Sequence, residues 1–242
     1  MNKHMQGSLL ILFATFLCSP GGPGVARAEE TQGSLSEAPA LESKSPPAGN
    51  GELYVGVFGG GARYADAQVS ATYQCFFCVP VSVSKNVTFS KGSVSGLRVG
   101  MWGETFGFAT EFSTAQADSM MNANQVSVRY ESFTLMPMLR VPFFKTDTMP
   151  GGHLNLYGGI GISIVQTGNI SVSYPELPRT VSGIPKGNGS TFLIGVSWKI
   201  YRAILFAEQR ATDTSLTFSD IGDHGDVRIN ARQTLIGAAF RF

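Results

Sequence analysis

Seven charged residues fall inside strand-like stretches of this sequence, at positions where the side chains of one sheet face would converge. They are Arg98, Glu111, Arg140, Lys199, Glu208, Arg210 and Arg241. Buried charges persist when they are paired and hydrogen-bonded, so this set predicts a salt-bridged network that closes the interior of a barrel. The alternative is a small or gated pore that passes cations. Bases outnumber acids in the set, so Glu52, Glu104 or water would have to complete the network.

Residues suited to nucleophilic catalysis are few. After residue 28 only two histidines remain, His153 and His224. A histidine and a serine facing the bilayer could cleave a lipid ester, but neither histidine is followed by a nearby serine on a lipid-facing strand. The sequence therefore predicts no catalytic residues and no enzyme activity.

Metal and cofactor sites are not expected either. Asp220, Asp223, His224 and Asp226 offer oxygen ligands, but their spacing does not fit the alternate-position calcium loop, which favours a solvated charged loop. The glycine clusters at 59–61 and 158–161 are not followed by a helix, so they indicate strand glycines and not phosphate-binding loops.

The cysteines bear on the compartment. Cys18 lies in the apolar N-terminal run, which leaves Cys75 and Cys78 as a pair separated by two residues. A redox pair or half of a zinc site is conceivable, but further cysteine ligands are missing, so the pair favours a disulfide in an exported protein. The aromatic residues around it predict a hairpin beyond the membrane, either a packed cap or a contact surface for a partner.

The N-terminus has the pattern of an export signal. Lys3 precedes an apolar run of about ten residues, and Ala26 and Ala28 supply the small residues read by a signal peptidase, so residues 1–28 are expected to be removed. An uncleaved anchor and a lipoprotein with Cys18 as the lipid site are weaker alternatives. Residues 29–51 are rich in Glu, Ser, Pro and Gly, which indicates a disordered periplasmic linker before a barrel domain at 52–242.

From Glu52 onward, strand-like runs with a period of two alternate with turn signals. The eight runs are 52–62, 93–102, 106–113, 126–141, 154–165, 190–200, 203–218 and 228–242. No segment after residue 28 is long and apolar enough for a membrane helix, and only helices and closed barrels satisfy every backbone group in lipid. The sequence therefore predicts an all-β fold, an eight-stranded antiparallel up-and-down transmembrane β-barrel.

The connections between runs alternate in length. Those after the first, third, fifth and seventh runs are long, at 63–92, 114–125, 166–189 and 219–227, and the others are shorter. Long loops on one rim and short turns on the other are typical of outer-membrane barrels. Both chain ends then lie on the periplasmic rim.

The last eight residues alternate in the way expected of a closing strand. Ile236, Ala238, Phe240 and Phe242 would face lipid, and Gly237, Ala239 and Arg241 would face the interior. We assign Gly237, Phe240 and Phe242 as an assembly signal, with the barrel-assembly machinery as the expected partner.

Residues 52–242 resemble the small outer-membrane β-barrel family, the OmpA-like and OmpX-like surface proteins. The resemblance rests on Tyr-Val-Gly-Val at 54–57, the glycine-rich segment 156–162, Phe-Ala-Glu-Gln-Arg at 206–210 and the C-terminal motif. It implies that Glu208 and Arg210 point into the barrel. Gln209 departs from the pattern, because an outward aromatic residue is expected there.

The resemblance and the location predict a structural or surface-interaction role carried by long extracellular loops, in the outer membrane of a Gram-negative bacterium. Expected partners are outer-membrane lipid, lipopolysaccharide and an extracellular ligand at the loops. Removal of Lys3 and Arg27 leaves 16 bases against 17 acids, which argues against nucleic acid. The alternatives are a small channel and a soluble calycin-like periplasmic carrier of an apolar ligand.

Overall fold

The computed structural model describes residues 51–242, except residues 75, 76, 78, 122, 123, 147–150 and 221. The expected signal peptide and nearly all of the expected linker lie outside the described residues, as do Cys75 and Cys78 with their expected disulfide. Within the described part of the chain, no helix is long and apolar enough to cross a membrane.

Ten strands form from the alternating runs. They are β1 (Glu52–Tyr64), β2 (Ala67–Tyr73), β3 (Val81–Val87), β4 (Gly92–Trp102), β5 (Phe106–Met121), β6 (Asn124–Phe143), β7 (Leu154–Ser173), β8 (Val181–Ile200), β9 (Ala203–Ser219) and β10 (His224–Arg241). Eight of them close an antiparallel ring in the order β1, β4, β5, β6, β7, β8, β9, β10, and β10 returns to β1. The predicted eight-stranded up-and-down barrel is confirmed. Along the chain, the β2–β3 hairpin lies between β1 and β4. In the sheet, β2 pairs with the first residues of β10.

The stagger of the barrel follows from the pairing register. A row of directly paired residues begins at Ile200 on β8, passes through Ala203, Phe240, Val55, Val99, Thr110, Leu135 and Ile162, and returns to β8 at Ser190. One circuit thus shifts the register by 10 residues, from 200 to 190. For eight strands this stagger corresponds to a strand tilt of about 40°.

An apolar belt surrounds the lower part of the barrel, toward the chain ends. Its side chains point outward and are exposed: Leu53, Val55, Val57, Leu97, Val99, Met101, Phe106, Phe108, Phe112, Leu135, Leu139, Val141, Phe143, Leu154, Leu156, Ile160, Ile162, Ile164, Phe192, Ile194, Val196, Trp198, Ile200, Leu205, Ile236, Phe240 and Phe242. The area of this continuous apolar surface is far larger than that of the apolar patches that soluble monomers expose to water. The belt therefore faces lipid, and the fold is a transmembrane barrel.

Above the belt the polarity of the wall is reversed. Apolar side chains point inward there and form an upper core, made of Val69, Ala71, Val87, Ala115, Ala117, Val126, Val128, Tyr130, Ile170, Val172, Val181, Leu216, Phe218, Val227 and Ile229. Outward positions carry mostly polar residues, as in the hydrogen-bonded pairs Ser70–Ser84 and Thr72–Ser82 across β2 and β3. This half of the barrel has the alternation of a water-soluble sheet.

The upper core corrects the expected long loops. Segments 114–121, 166–173 and 181–189 are strand, which leaves 174–180 and 220–223 as connections between β7 and β8 and between β9 and β10. The prediction that these segments are loops was wrong, because it relied on apolar residues at lipid-facing positions. Once the apolar side becomes the inner one, the period of two continues but the lipid-facing signal ends.

Candidate functional site

The central network is a group of four charged residues inside the lower barrel: Arg98 on β4, Glu111 on β5, and Glu208 and Arg210 on β9. The register sets Arg98 directly opposite Glu111. Glu208 and Arg210 share a face because they are two residues apart on one strand. All four are at most 6% exposed.

Every charge of the central network contacts both charges of opposite sign. Arg98 donates to Glu208 through two nitrogens, at 2.5 and 2.7 Å, and its Nε pairs with Glu111. Arg210 donates to both oxygens of Glu111 at 2.8 Å, and its Nη2 donates to Glu208 at 2.7 Å. Two positive and two negative charges form a closed, neutral ring of charge-assisted hydrogen bonds.

Aromatic residues surround this ring. The Arg98 guanidinium lies 4.8 Å from the centre of the Phe206 ring, and Arg210 lies 4.9 Å from that of Phe58. The Tyr157 hydroxyl donates to Glu208 at 2.6 Å. The period of two in the sequence predicts that Phe58 and Tyr157 face inward, but the contacts of these residues and of Phe206 with the charges were not predicted.

Inward glycines provide the space for the aromatic residues. A side chain at Gly237 would overlap the Phe206 ring, and one at Gly195 would lie 2.8 Å from the Tyr157 ring. Each glycine thus allows a bulky neighbour to turn into the barrel. Gly237 has this packing function whether or not it also belongs to an assembly signal.

A second group, the rim cluster, closes the lower end of the interior. Glu52 accepts hydrogen bonds from Arg140 at 2.8 Å, Lys199 at 2.6 Å and Arg241 at 3.2 Å. Arg140 and Lys199 are 2% exposed, and Arg241 is partly buried. Backbone carbonyls complete the cluster, because Arg140 donates to Gly103 at 2.6 Å and Lys199 to Gly151 at 3.2 Å.

The structure thus separates the seven sequence-predicted charges into four in the central network and three in the rim cluster. Glu52 is the additional acid, and its carboxylate joins the three cations of the rim cluster. Glu104 contributes only its backbone carbonyl to Arg140, at 3.0 Å, while its carboxylate pairs with Lys145 at 2.6 Å.

The remaining candidate residues lie apart from the interior. His153 lies in the turn after β6, with its Nδ1 3.4 Å from the Lys199 carbonyl oxygen, and the exposed His224 begins β10. Asp223 pairs with Arg179 at 3.0 Å. Among the described residues, no group of three or more Asp, Glu, His or Cys side chains could hold a metal. Phe240 and Phe242 stack in the belt, and the Phe242 amide donates to the Leu53 carbonyl at 2.9 Å.

The upper end is closed by the upper loop, residues 174–180. Tyr174 and Leu177 are buried over the upper core. Lys85 on β3 pairs with Glu176 at 2.7 Å, and this hydrogen bond lowers the pKa of the Glu176 carboxyl below its ordinary value. At the other end of the loop, Arg179 pairs with Asp223 and lies over the Tyr73 ring.

The chain has the fold of a small transmembrane β-barrel. Eight strands, a stagger of 10 residues, an outward apolar belt and a charged interior establish this from its own geometry. The family resemblance seen in the sequence is thus confirmed at the level of the fold.

Comparison with known proteins finds similarity only to solved structures, at low sequence identity. No protein-family model and no curated protein matches the chain. Among solved structures, Neisserial surface protein A (NspA) is 15% identical, with 78% of this chain and 97% of that chain covered and a TM-score of 0.43. Ail, the attachment invasion locus protein of Yersinia pestis, solved with the heparin analogue sucrose octasulfate, is 16% identical over 80% and 99%, with a TM-score of 0.38. The outer membrane protein OprG from Pseudomonas aeruginosa is 12% identical over 78% and 95%, with a TM-score of 0.43.

Proposed function

We propose that this chain is an outer-membrane surface protein whose barrel is closed to solutes and whose upper, extracellular end contacts ligands. The observation that carries the proposal is the central network. An eight-stranded barrel is just wide enough to be filled by its own side chains. Here four fully paired charges and three aromatic residues occupy that width.

The distribution of polarity favours this proposal over the soluble carrier. A calycin-like carrier would place its apolar face inside along the whole barrel and its charges outside. In this chain the lower half does the opposite, with charges inside and the apolar belt outside. Only the upper half resembles a soluble barrel, and there the interior is packed with side chains.

The surface role is supported by exposed apolar side chains at the upper end. The β2–β3 hairpin projects from the ring, and near its tip Phe77 is 93% and Val79 is 83% exposed. Tyr73, Val81 and Val83, at the base of the tip, pack against the core. Exposed apolar groups near the tip of a hairpin whose base packs against the core are suited to contact with a partner.

Location and orientation are tested first. The full chain is expressed in a Gram-negative host, and the outer-membrane fraction is compared on a gel before and after boiling. A band that shifts on boiling is expected, whereas a soluble periplasmic protein without a shift would overturn the membrane barrel.

Orientation is read by labelling intact cells with a membrane-impermeant thiol reagent, after Cys75 and Cys78 are replaced by serine. Ser84→Cys on the upper half should react, and Tyr201→Cys in the turn between β8 and β9 should react only after permeabilisation. The reverse pattern would place the upper half in the periplasm.

Closure is tested by conductance. The purified, refolded barrel is added to a planar lipid bilayer, with the same preparation from cells that do not express the chain as the control for contaminating porins. We expect no conductance steps from the folded barrel. Steps that require the folded form would support the small pore instead.

A further inference from the structure

Two arginines face each other on the outer surface just above the apolar belt. Arg63 on β1 is directly paired with Arg232 on β10, and both side chains are exposed. Like charges directly opposite on neighbouring strands are destabilising. A negative charge bound between the two strands would therefore stabilise this pairing.

Lys91 extends the pair to a basic row of three residues. Ala62 on β1 pairs with Gly92 on β4, which sets Lys91, the residue before Gly92, beside Arg63. Lys91 is also exposed. Neighbouring strands are about 4.8 Å apart, so the three cationic side chains can reach the same group of anionic oxygens.

No described carboxylate forms a salt bridge with the basic row, whereas other exposed lysines and arginines do form such pairs. Arg63, Lys91 and Arg232 form no ion pair or side-chain hydrogen bond with the described residues, in contrast to the four charges of the central network. The acids nearby in sequence or register accept hydrogen bonds from residues outside the row. Asp118, which the β4–β5 register places opposite Lys91, accepts from Gln116 at 3.1 Å and from Ser127 at 2.6 Å. Asp213 accepts from Arg228 at 2.6 and 3.2 Å, and Asp66 accepts from Thr88 at 2.7 Å.

The height of the row matches the surface of a bilayer. Among the outward-facing positions of β10, only Thr234 lies between Arg232 and Ile236 of the belt. Among those of β1, only Gly59 and Gly61 lie between Arg63 and Val57 of the belt. Nothing lies within 4 Å of the position of a side chain on Gly61, so the wall below Arg63 is open toward lipid. Long basic side chains at this level can reach lipid headgroups.

We infer that the basic row Lys91, Arg63 and Arg232 binds the phosphate groups of an anionic lipid in the outer leaflet, of the lipid A type. The two guanidinium groups match phosphate oxygens in bidentate geometry, and the ammonium adds a point charge. The inference depends on the proposed outer-membrane location with the upper half outside. Because it concerns the outer wall, it is independent of whether the interior conducts.

The test uses the refolded full-length barrel in zwitterionic detergent and bisphosphorylated lipid A, with bound lipid counted by native mass spectrometry. The variant R63Q/R232Q removes two charges from the row. The matched control R129Q/R202Q removes two exposed arginines elsewhere on the barrel. At about 1 kcal/mol for each basic residue near an anionic membrane surface, R63Q/R232Q should bind about 30-fold more weakly. The control should stay within about twofold of the unmodified protein by the same reasoning.

Further arms define the ligand. Dephosphorylated lipid A with the same acyl chains should bind the unmodified protein as weakly as lipid A binds R63Q/R232Q. Inorganic phosphate at the same concentration should not compete, and competition would show a general anion site and overturn the lipid assignment. Equal loss in R63Q/R232Q and R129Q/R202Q would overturn the assignment to this row.

Folding and location are read separately. Each variant is checked for its heat-modifiable band, and the single variants R63Q and R232Q replace the double variant if it does not fold. If the unmodified chain binds lipid A in detergent but is absent from the outer-membrane fraction, the proposed function fails while this site stands. If it reaches the outer membrane and R63Q/R232Q binds as well as the unmodified protein, the site fails while the function stands.

Discussion

Each of the four central charges depends on the others, because none of them has access to water. Glu208 accepts hydrogen bonds from Arg98, Arg210 and Tyr157. Glu208→Ala would leave two guanidinium groups with a single carboxylate, that of Glu111, in a buried interior. We expect the free energy of unfolding to fall by about 3–5 kcal/mol, as when one partner of a buried ion pair is removed. Denaturant titration of the barrel refolded in lipid vesicles measures this difference.

Glu104→Ala is the matched control. Its carboxylate pairs with Lys145 on the exposed lower rim, where ion pairs contribute little. The two variants lose the same group, so a difference between them isolates burial. Equal stabilities would contradict the description of the central network as a buried, mutually dependent ring.

Substitutions at Gly237 distinguish a role in packing from a role in recognition by the barrel-assembly machinery. A valine there would overlap the Phe206 ring, whereas Ala238→Val points outward into the belt. We expect Gly237→Val to cost about 1–3 kcal/mol, as overpacking does, and Ala238→Val to change stability little. The second change Phe206→Ala should restore part of the loss, because it removes the overlapping ring. Refolding in vesicles measures both variants and the double variant.

The same variants separate two roles of Gly237. If packing is the whole role, Phe206→Ala rescues both refolding in vitro and the amount of heat-modifiable protein in cells. Rescue in vitro without rescue in cells would support the predicted assembly signal of Gly237, Phe240 and Phe242. Failure of rescue in both assays would contradict packing against Phe206 as the reason for glycine, and would leave the Val57 carbonyl oxygen, 2.5 Å from the position of a side chain at 237, as the constraint.

At the level of elements, the upper loop is held to β3 by an ionised carboxylate. The Lys85 hydrogen bond lowers the pKa of Glu176 below its ordinary value of 4.5. A lowered carboxyl pKa means that the tether is complete above the ordinary value and is lost as the pH falls through the lower value. Protection of the loop amides, corrected for intrinsic exchange rates, should therefore be constant from about pH 7 to about pH 5 and fall only below that range.

Lys85→Gln should lower the protection of residues 174–180 already at neutral pH. Lys186→Gln, at an exposed lysine of the upper half, is the control and should leave the loop unchanged. Loss of protection between pH 7 and pH 5 in the unmodified protein would contradict the Glu176 tether. Hydrogen exchange read by mass spectrometry covers the whole loop in one peptide.

The sequence predicted the elements of the lower half because each outward position there is apolar. Leu53, Val55 and Val57 identify the lipid face of β1 without further information, and so Tyr54 and Phe58 are inward. The partners of the charges were not predictable, because Arg98 and Glu208 are 110 residues apart and meet only through the register of a closed ring. The same alternation makes Glu52 inward, but its role as the shared acceptor of three cations was not predictable, because Arg140, Lys199 and Arg241 reach it only through the closed register.

The whole barrel consists of two halves with opposite polarity, and this decides where a charge is tolerated. Val196 and Asn188 both point outward on β8 and are eight residues apart along the strand. Val196 lies within the apolar belt, whereas Asn188 is paired with Ile164 at the upper edge of the belt. Arginine at the bilayer midplane of a barrel costs about 2–4 kcal/mol and near an interface about 0–1 kcal/mol.

Val196→Arg should therefore lower the free energy of unfolding in lipid vesicles by about 2 kcal/mol or more, and Asn188→Arg should leave it within about 0.5 kcal/mol. Both variants add the same side chain to the same face of one strand, so the difference reports depth in the bilayer and not strand propensity. In vesicles with longer acyl chains the penalty at Val196 should persist and Asn188 should remain neutral. Equal effects at the two positions would contradict the boundary between the halves, and a larger loss at Asn188 would mean that the membrane surrounds the upper half instead.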